Sequence, residues 1–408
     1  VISVEEALDR ILSRVASLGD ERVALPEALH RVLAEDVDSP RDMPPWPASS
    51  MDGYALRSED TRAAGAGAPA RLAVAGRVPA GAMATRPLQP GEAFRIFTGA
   101  PLPEGADAVI PQEDVTEDSG ALLVPRRVAA GDFVRPRGED MVSGDRVLER
   151  GRVLSAADIG LLATVGRARV SVIRRPRVGI LSTGDELVDL GGRLGPGQIP
   201  NSNSYSLVAQ VLEVGAEPVS LGIAGDRLED IEARLRWGLG CDLVMSSAGV
   251  SVGEHDFVKD ALSRLGAEQH LWLVDMRPGK PIAFSTIPQD GKAALALFAL
   301  PGNPVSAMVT FELFVRPAIL RMAGHQRLQR PTITARALAP IKNGDGRRGY
   351  LRVTLTPEGD GYGARLTGTQ SSGVLRSMVA ADGLAVVSGR TTIEPGQPVK
   401  VIVLRQGL

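Results

Sequence analysis

Three segments of the 408-residue chain each set small residues beside a carboxylate. They are Ser182-Thr-Gly-Asp-Glu186, Gly225-Asp226, and Ser246-Ser-Ala-Gly-Val-Ser-Val-Gly253 followed by Asp256. Small residues such as Ser182, Thr183, Gly184, Gly249, Ser251 and Gly253 let backbone amides come close to an anion. The carboxylates Glu186, Asp226 and Asp256 would repel that anion unless a divalent cation lay between them, so phosphate with Mg²⁺ makes the set intelligible. Judged singly, each carboxylate reads equally well as a helix cap, Asp226 for a helix beginning near Leu228.

A second group, Arg277-Pro-Gly-Lys280-Pro281, places two cations three residues apart on a loop that cannot be helical. Guanidinium and ammonium together can hold an oxyanion; taken alone, the motif reads as a solvated basic turn. In Leu300-Pro301-Gly-Asn-Pro304, Pro304 suits the first turn of a helix running to about Met322. The amide end of that helix carries partial positive charge, and a rigid loop without a ligand is the competing reading. Nearer the N-terminus, Asp52 follows a proline-locked stretch, Thr98 sits in the stiff Phe97–Pro103 loop, and Asp140 ends Arg135-Pro-Arg-Gly-Glu-Asp140.

The elements that must position these groups follow from periodicity. Val178–Leu181 and Leu243–Met245 are continuous apolar runs, as strands buried on both faces require. Between and after them come a helix at Tyr205–Val214, a strand at Pro218–Ile223, and helices at Leu228–Trp237 and His255–Leu265. This alternation implies a parallel sheet wrapped by helices, a three-layer β-α-β domain with its site beyond the C-terminal strand ends.

Ser3-Val-Glu-Glu6 reads as a capping box ahead of an amphipathic helix, and a second helix is expected from about Pro26 to Glu35. Short apolar runs at Leu72–Val74, Phe94–Phe97, Ala108–Ile110 and Leu122–Val124 form a β-rich insertion. A helix then starts at Ser155, so the β lid is flanked by helical pieces of a discontinuous domain. The fold class expected is multi-domain α/β. Residues 1–43 plus 141–174 form the discontinuous domain and 44–140 the lid. Residues 175–326 form the α/β domain, and 327–408 a C-terminal barrel-like β domain.

A net charge of −2 excludes general nucleic-acid binding, which needs a basic stripe. One cysteine, Cys241, excludes a disulfide within the chain and a thiolate zinc site. The longest apolar run, Ala293–Leu300, is far short of the roughly 20 residues that span a bilayer. No basic segment leads into an apolar one at the N-terminus, so a cytoplasmic location is expected.

Taken together, eight ordered strings resemble the molybdopterin molybdenumtransferase family, the bacterial molybdenum-insertion enzymes homologous to the C-terminal domain of gephyrin. They are Ser50–Ala55, Phe97–Pro103, Gly138–Asp140, Ser182–Leu187, Asn201–Ser204, Gly249–Gly253 with Asp256, Pro278–Pro281, and Leu300–Ser306. The resemblance implies a Mg²⁺-dependent step in which adenylylated molybdopterin and molybdate give molybdenum cofactor and AMP. It implies a homodimer with a shared cleft. Glu186, Asp226 and Asp256 would handle metal and phosphate, with Asp52, Thr98 and Asp140 facing them from the other subunit.

By the same resemblance Lys280, Pro281, Pro301, Pro304 and Ser306 would shape the pterin and molybdate pocket. Arg347, Arg352, Ser371 and Ser372 would contact the oxyanion. Exchange with a molybdopterin adenylyltransferase and with downstream molybdoenzyme chaperones is implied too. Two departures stand out: Arg277 where the family commonly has lysine, and Ala248 where it often has glycine. Two alternatives remain at this level: an adenylylating enzyme, against which the extra domains argue, and a scaffold that keeps the fold without the chemistry.

Overall fold

The computed structural model describes residues 1–248, 257–289, 291 and 293–405. The chain divides into two compact units, Val1–Ala34 with Val170–Leu408, and Glu35–Arg169.

The larger unit is built on a six-stranded sheet. Its order is Glu217–Ala224, Arg177–Thr183, Leu243–Ser247, Leu295–Leu300, Pro281–Ile287, Glu268–Leu273. The first four strands are parallel, as expected; the fifth runs antiparallel to them, and the sixth is antiparallel to the fifth. Alternate side chains of a strand point to opposite faces, so one apolar run serves two cores. Leu295, Leu297 and Ala299 pack with Ile231, Leu235, Val258 and Leu262, from helices Leu228–Trp237 and Phe257–Arg264. Ala296, Phe298 and Leu300 pack on the opposite face with Leu207 and Val211 of helix Ser202–Glu213, and with Val305 and Val309. Strand order reverses beside Arg177–Thr183, and such a switch point opens a crevice at the strand ends.

Beyond the sheet, five strands close into a barrel. Arg348–Glu358 pairs Gly361–Leu366, which pairs Thr332–Ala337, then Pro398–Val403, then Gly383–Val387, which returns to the first. Val353, Ala385 and Val401 fill its interior. The smaller unit carries an open six-stranded sheet that includes Gly53–Leu56, Ala70–Val78, Glu92–Ile96, Ala108–Pro111 and Ala121–Val124; strands overlap all four expected runs, with Phe97 falling just past one of them. Helix Ala156–Thr164 starts with a full capping box: Asp158 accepts from the Ser155 amide at 2.8 Å. Among the described residues no helix is long and apolar enough to cross a membrane.

Three local expectations are corrected. The helix from Pro26 to Glu35 is only a 3₁₀ turn, Leu25–Ala28. Leu29 is extended, His30 is left-handed at φ 63, and Leu33 bridges to Val172, so tertiary pairing overrides helix propensity. At Ser3 only half the capping box forms. Ser3 Oγ accepts from the Glu6 amide at 3.1 Å, but Glu6 turns to Arg10 at 2.6 Å. The helix from Pro304 is interrupted by a π turn, Phe311–Val315, before Arg316–Met322. Pro317 has no amide to bond back into an α-register, which accounts for the widened turn.

Candidate active site

At the C-terminal ends of strands Arg177–Thr183, Leu243–Ser247 and Leu295–Leu300 lies a cavity of about 660 Å³. Thr183, Glu186, Asn201, Ser247, Asn303 and Pro304 line it. Its floor is a hydroxyl network. Ser182 and Ser247 are in register on adjacent parallel strands, and their hydroxyls meet at 3.4 Å. Ser182 Oγ also donates to Asn201 Oδ1 at 2.9 Å. The same Asn201 oxygen accepts from the Ser204 amide as the N-cap of helix Ser202–Glu213. The helix N-terminus, with its partial positive charge, therefore opens on the cavity. Ser182 is buried within this floor and is not among the cavity-lining residues, whereas Asn201, which enters the sequence reading only as part of a matched string, lines the cavity and organises the floor.

The carboxylates are placed unevenly. Glu186 is exposed and lines the cavity. Gly184, two residues before it, has φ +142, a backbone conformation that favours glycine and brings the Glu186 carboxylate close over its Cα. The Gly184 amide donates to the Ala224 carbonyl at 3.1 Å, tying two strand ends together. Asp226 is exposed on the neighbouring strand end, outside the cavity lining. It does not cap the following helix, whose N-cap is Arg227 without a side-chain bond. Its amide is instead held by Asp185 Oδ1 at 3.1 Å. Asp256, Gly249, Ser251 and Gly253 lie outside the described residues. Among the described residues no three His, Cys, Asp or Glu side chains converge as a metal site. Ala248, on the cavity wall, adopts φ 77, a left-handed conformation natural to glycine.

A second centre is cationic. Arg347 grips Asp345 with two bonds of 2.7 Å, and Arg277 stands 3.6 Å from the same carboxylate. The Arg347 hydrogen bonds hold the Asp345 carboxyl far below its usual range, with the charges of Arg347 and Arg277 adding to the effect. Arg352, on barrel strand Arg348–Glu358, is completely buried. Its Nε donates to Ser377 Oγ at 3.1 Å and its Nη2 to the Ser371 carbonyl at 3.0 Å. Its Nη1 is buried with no partner among the described residues. Burial first, then the nearby charge of Arg277, pushes the guanidinium down to about 10. A buried cation without a counter-charge is costly unless an anion completes it.

The loop carrying Lys280 is pressed against helix Pro304–Thr310. Gly279 has φ +100, and a Cβ there would strike Thr310 Cγ2. Lys280 itself is exposed, Pro281 begins a strand, and Pro301 and Ser306 are buried. Ser372 Oγ accepts from Asn303 Nδ2 at 3.0 Å.

In the smaller unit Asp52 and Thr98, 46 residues apart, come together. The Thr98 amide and hydroxyl both donate to Asp52 Oδ1, at 2.8 and 2.9 Å. The amide bond first, then the hydroxyl, hold this exposed carboxyl below its ordinary value. Arg95 stacks over Tyr54 and Phe97 at about 5 Å and adds positive charge there, a residue with no advance signal in spacing or composition. Gly53 is required because a Cβ would run into the Ile110 carbonyl of the next strand. Asp140 is exposed, and its amide is held by the Met43 carbonyl at 2.9 Å.

Comparison with known proteins matches three family models in order. They are the MoeA N-terminal region (domain I and II) over residues 2–166, a probable molybdopterin binding domain over 179–321, and the MoeA C-terminal region (domain IV) over 334–404. A molybdopterin molybdenumtransferase of Nostoc is 38% identical across 98% of this chain and 94% of its own. One from Synechococcus elongatus is 36% identical across 98% and 99%. A crystal structure of a molybdopterin biosynthesis MoeA protein from Pyrococcus horikoshii superposes with a TM-score of 0.83 at 34% identity, covering all of both chains. The chain therefore belongs to the molybdopterin molybdenumtransferase family, enzymes of molybdenum cofactor biosynthesis.

Proposed function

We propose that the chain transfers molybdenum from molybdate to the dithiolene sulfurs of adenylylated molybdopterin and releases AMP, in a Mg²⁺-dependent step. The observation that carries this reading is Arg352, a buried guanidinium whose Nη1 has no partner among the described residues and which feels the charge of Arg277. A tetrahedral dianion such as molybdate supplies the missing acceptor, and Arg277, Lys280 and Arg352 offset its charge. The adenylylated pterin takes the 660 Å³ cavity, its phosphates toward the N-terminus of helix Ser202–Glu213.

Glu186 and Asp226 suit Mg²⁺, which commonly binds through one or two carboxylates, several waters and substrate phosphates rather than an all-protein cage. When bound, the ion supplies polarisation of the phosphate linkage and stabilises the leaving AMP. Asp256 completes the carboxylate set in this reading. Asp52, Thr98 and Asp140 serve the cleft of a second copy of the chain in a homodimer. The enzyme works in the cytoplasm, receives its pterin from a molybdopterin adenylyltransferase and passes cofactor to molybdoenzyme chaperones.

The test is AMP release from adenylylated molybdopterin by the full chain. Release that requires both molybdate and Mg²⁺ is expected. Equal release without molybdate would overturn the proposal.

A further inference from the structure

The segment Ser371–Gly373 touches two places at once. At one end Arg352 Nη2 donates to the Ser371 carbonyl at 3.0 Å. In the middle Ser372 accepts twice, at its carbonyl from the Val305 amide at 3.1 Å and at its hydroxyl from Asn303 Nδ2 at 3.0 Å. At the other end Gly373 forms part of the cavity wall, beside Gly302, Asn303 and Pro304. Across that wall Asn203 Nδ2 holds the Gly302 carbonyl at 2.7 Å. Three consecutive residues thus link the buried guanidinium to the cavity.

Asn303 occupies an N-cap position but makes no capping bond to its own helix. An asparagine there ordinarily accepts from a helix amide and stabilises the first turn. Its amide instead reaches the loop that follows the barrel strands. That bond and the Val305–Ser372 bond are what fasten the loop to the cavity wall.

We propose that Asn303 is a positioning residue that couples the Arg352 oxyanion site to the cavity, so that oxyanion and nucleotide bind cooperatively. The inference rests on the reading of Arg352 given under the proposed function. An oxyanion on Nη1 fixes the guanidinium, and Nη2 then fixes the Ser371 carbonyl. Ser372 is held where Asn303 reaches it, and the Gly373 wall is in place before the nucleotide arrives. Linkage makes the effect reciprocal: each ligand tightens the other by the same factor. One neutral hydrogen bond carries a factor of about five.

The experiment is calorimetry on the full chain. The molybdate Kd is measured alone and with saturating AMP, and the AMP Kd alone and with saturating molybdate. In the wild type each ligand should tighten the other about fivefold. Asn303→Ala and Ser372→Ala should each bring the factor close to one, and the double variant should go no further. Asn203→Ala, which loosens the same wall elsewhere, should weaken AMP yet keep the factor, separating positioning from general damage. A wild-type factor of one or below, or a factor unchanged in Asn303→Ala, overturns the coupling. If Arg352→Gln still abolishes molybdate binding in that case, the oxyanion site stands without it. Molybdate binding indifferent to Arg352→Gln, or AMP that does not bind the wild type, overturns the underlying reading and the coupling with it.

Discussion

Replacing Arg352 with methionine separates a binding role from a structural one. The side chain is fully buried, and its titration is pushed down to about 10. That shift means the charged form is disfavoured in the fold by about 3 kcal/mol. The bonds to Ser377 and Ser371 offset it, each contributing about 1.5–3 kcal/mol as charge-assisted hydrogen bonds. None of its three partners is stranded in the variant: the Thr369 carbonyl, 3.4 Å from Nη2, belongs to an exposed residue. Ser377 Oγ also donates to the Val374 carbonyl at 2.7 Å, and Ser371 is exposed to water. Arg352→Met should therefore leave the unfolding free energy within about 1.5 kcal/mol of wild type. Its molybdate affinity should fall much further, because removing one partner of a buried charge pair costs at least about 2 kcal/mol, roughly thirtyfold in Kd. Denaturant unfolding and calorimetry on the same preparations read both quantities. A molybdate Kd within about threefold of wild type, or a stability loss above about 4 kcal/mol, would refute this reasoning and make Arg352 a strut of the barrel.

Asp226→Ala should slow molybdenum insertion at least about tenfold with little loss of stability, since the side chain is exposed and caps nothing; insertion at the wild-type rate would remove Asp226 from the site. Thr98→Val deletes the hydroxyl that lowers the Asp52 carboxyl but keeps the amide, the larger contribution. By carboxyl NMR the Asp52 titration should rise yet stay below the usual value. Because the folded-state value is depressed, any stability Asp52 contributes is present above its unfolded titration and is lost as pH drops through the folded one; the window opens at the same pH in the variant but closes at a higher one. Ala248→Gly should stabilise the chain by about 0.5–1 kcal/mol in denaturant unfolding, because φ 77 strains an alanine and suits a glycine.

The main frame was legible because it rests on periodicity. A run such as Leu295–Leu300 supplies two faces in alternation, and it announces a buried strand without any partner in view. The strand-end residues follow from that frame, and Thr183 and Glu186 lie together at one edge of it. What stayed hidden depends on long-range contact. Nothing local to Asp52 points to Thr98, and nothing in the barrel sequence shows that Arg352 is fully buried with no partner for Nη1 among the described residues. The reading of Pro26–Glu35 as a helix failed for the same reason: pairing of Leu33 with Val172, far along the chain, decides its backbone. Only the placement of Arg227 at the N-cap shows that Asp226 does not cap the following helix.

The central claim is that molybdenum ends on the dithiolene sulfurs as AMP departs. The most direct measurement combines X-ray absorption at the molybdenum edge with AMP quantification, after incubating the full chain with adenylylated molybdopterin, molybdate and Mg²⁺. One AMP released per molybdenum that has gained sulfur neighbours is the expected result. AMP release without molybdenum–sulfur bonds, or ATP-driven adenylylation of free molybdopterin in their place, would contradict it.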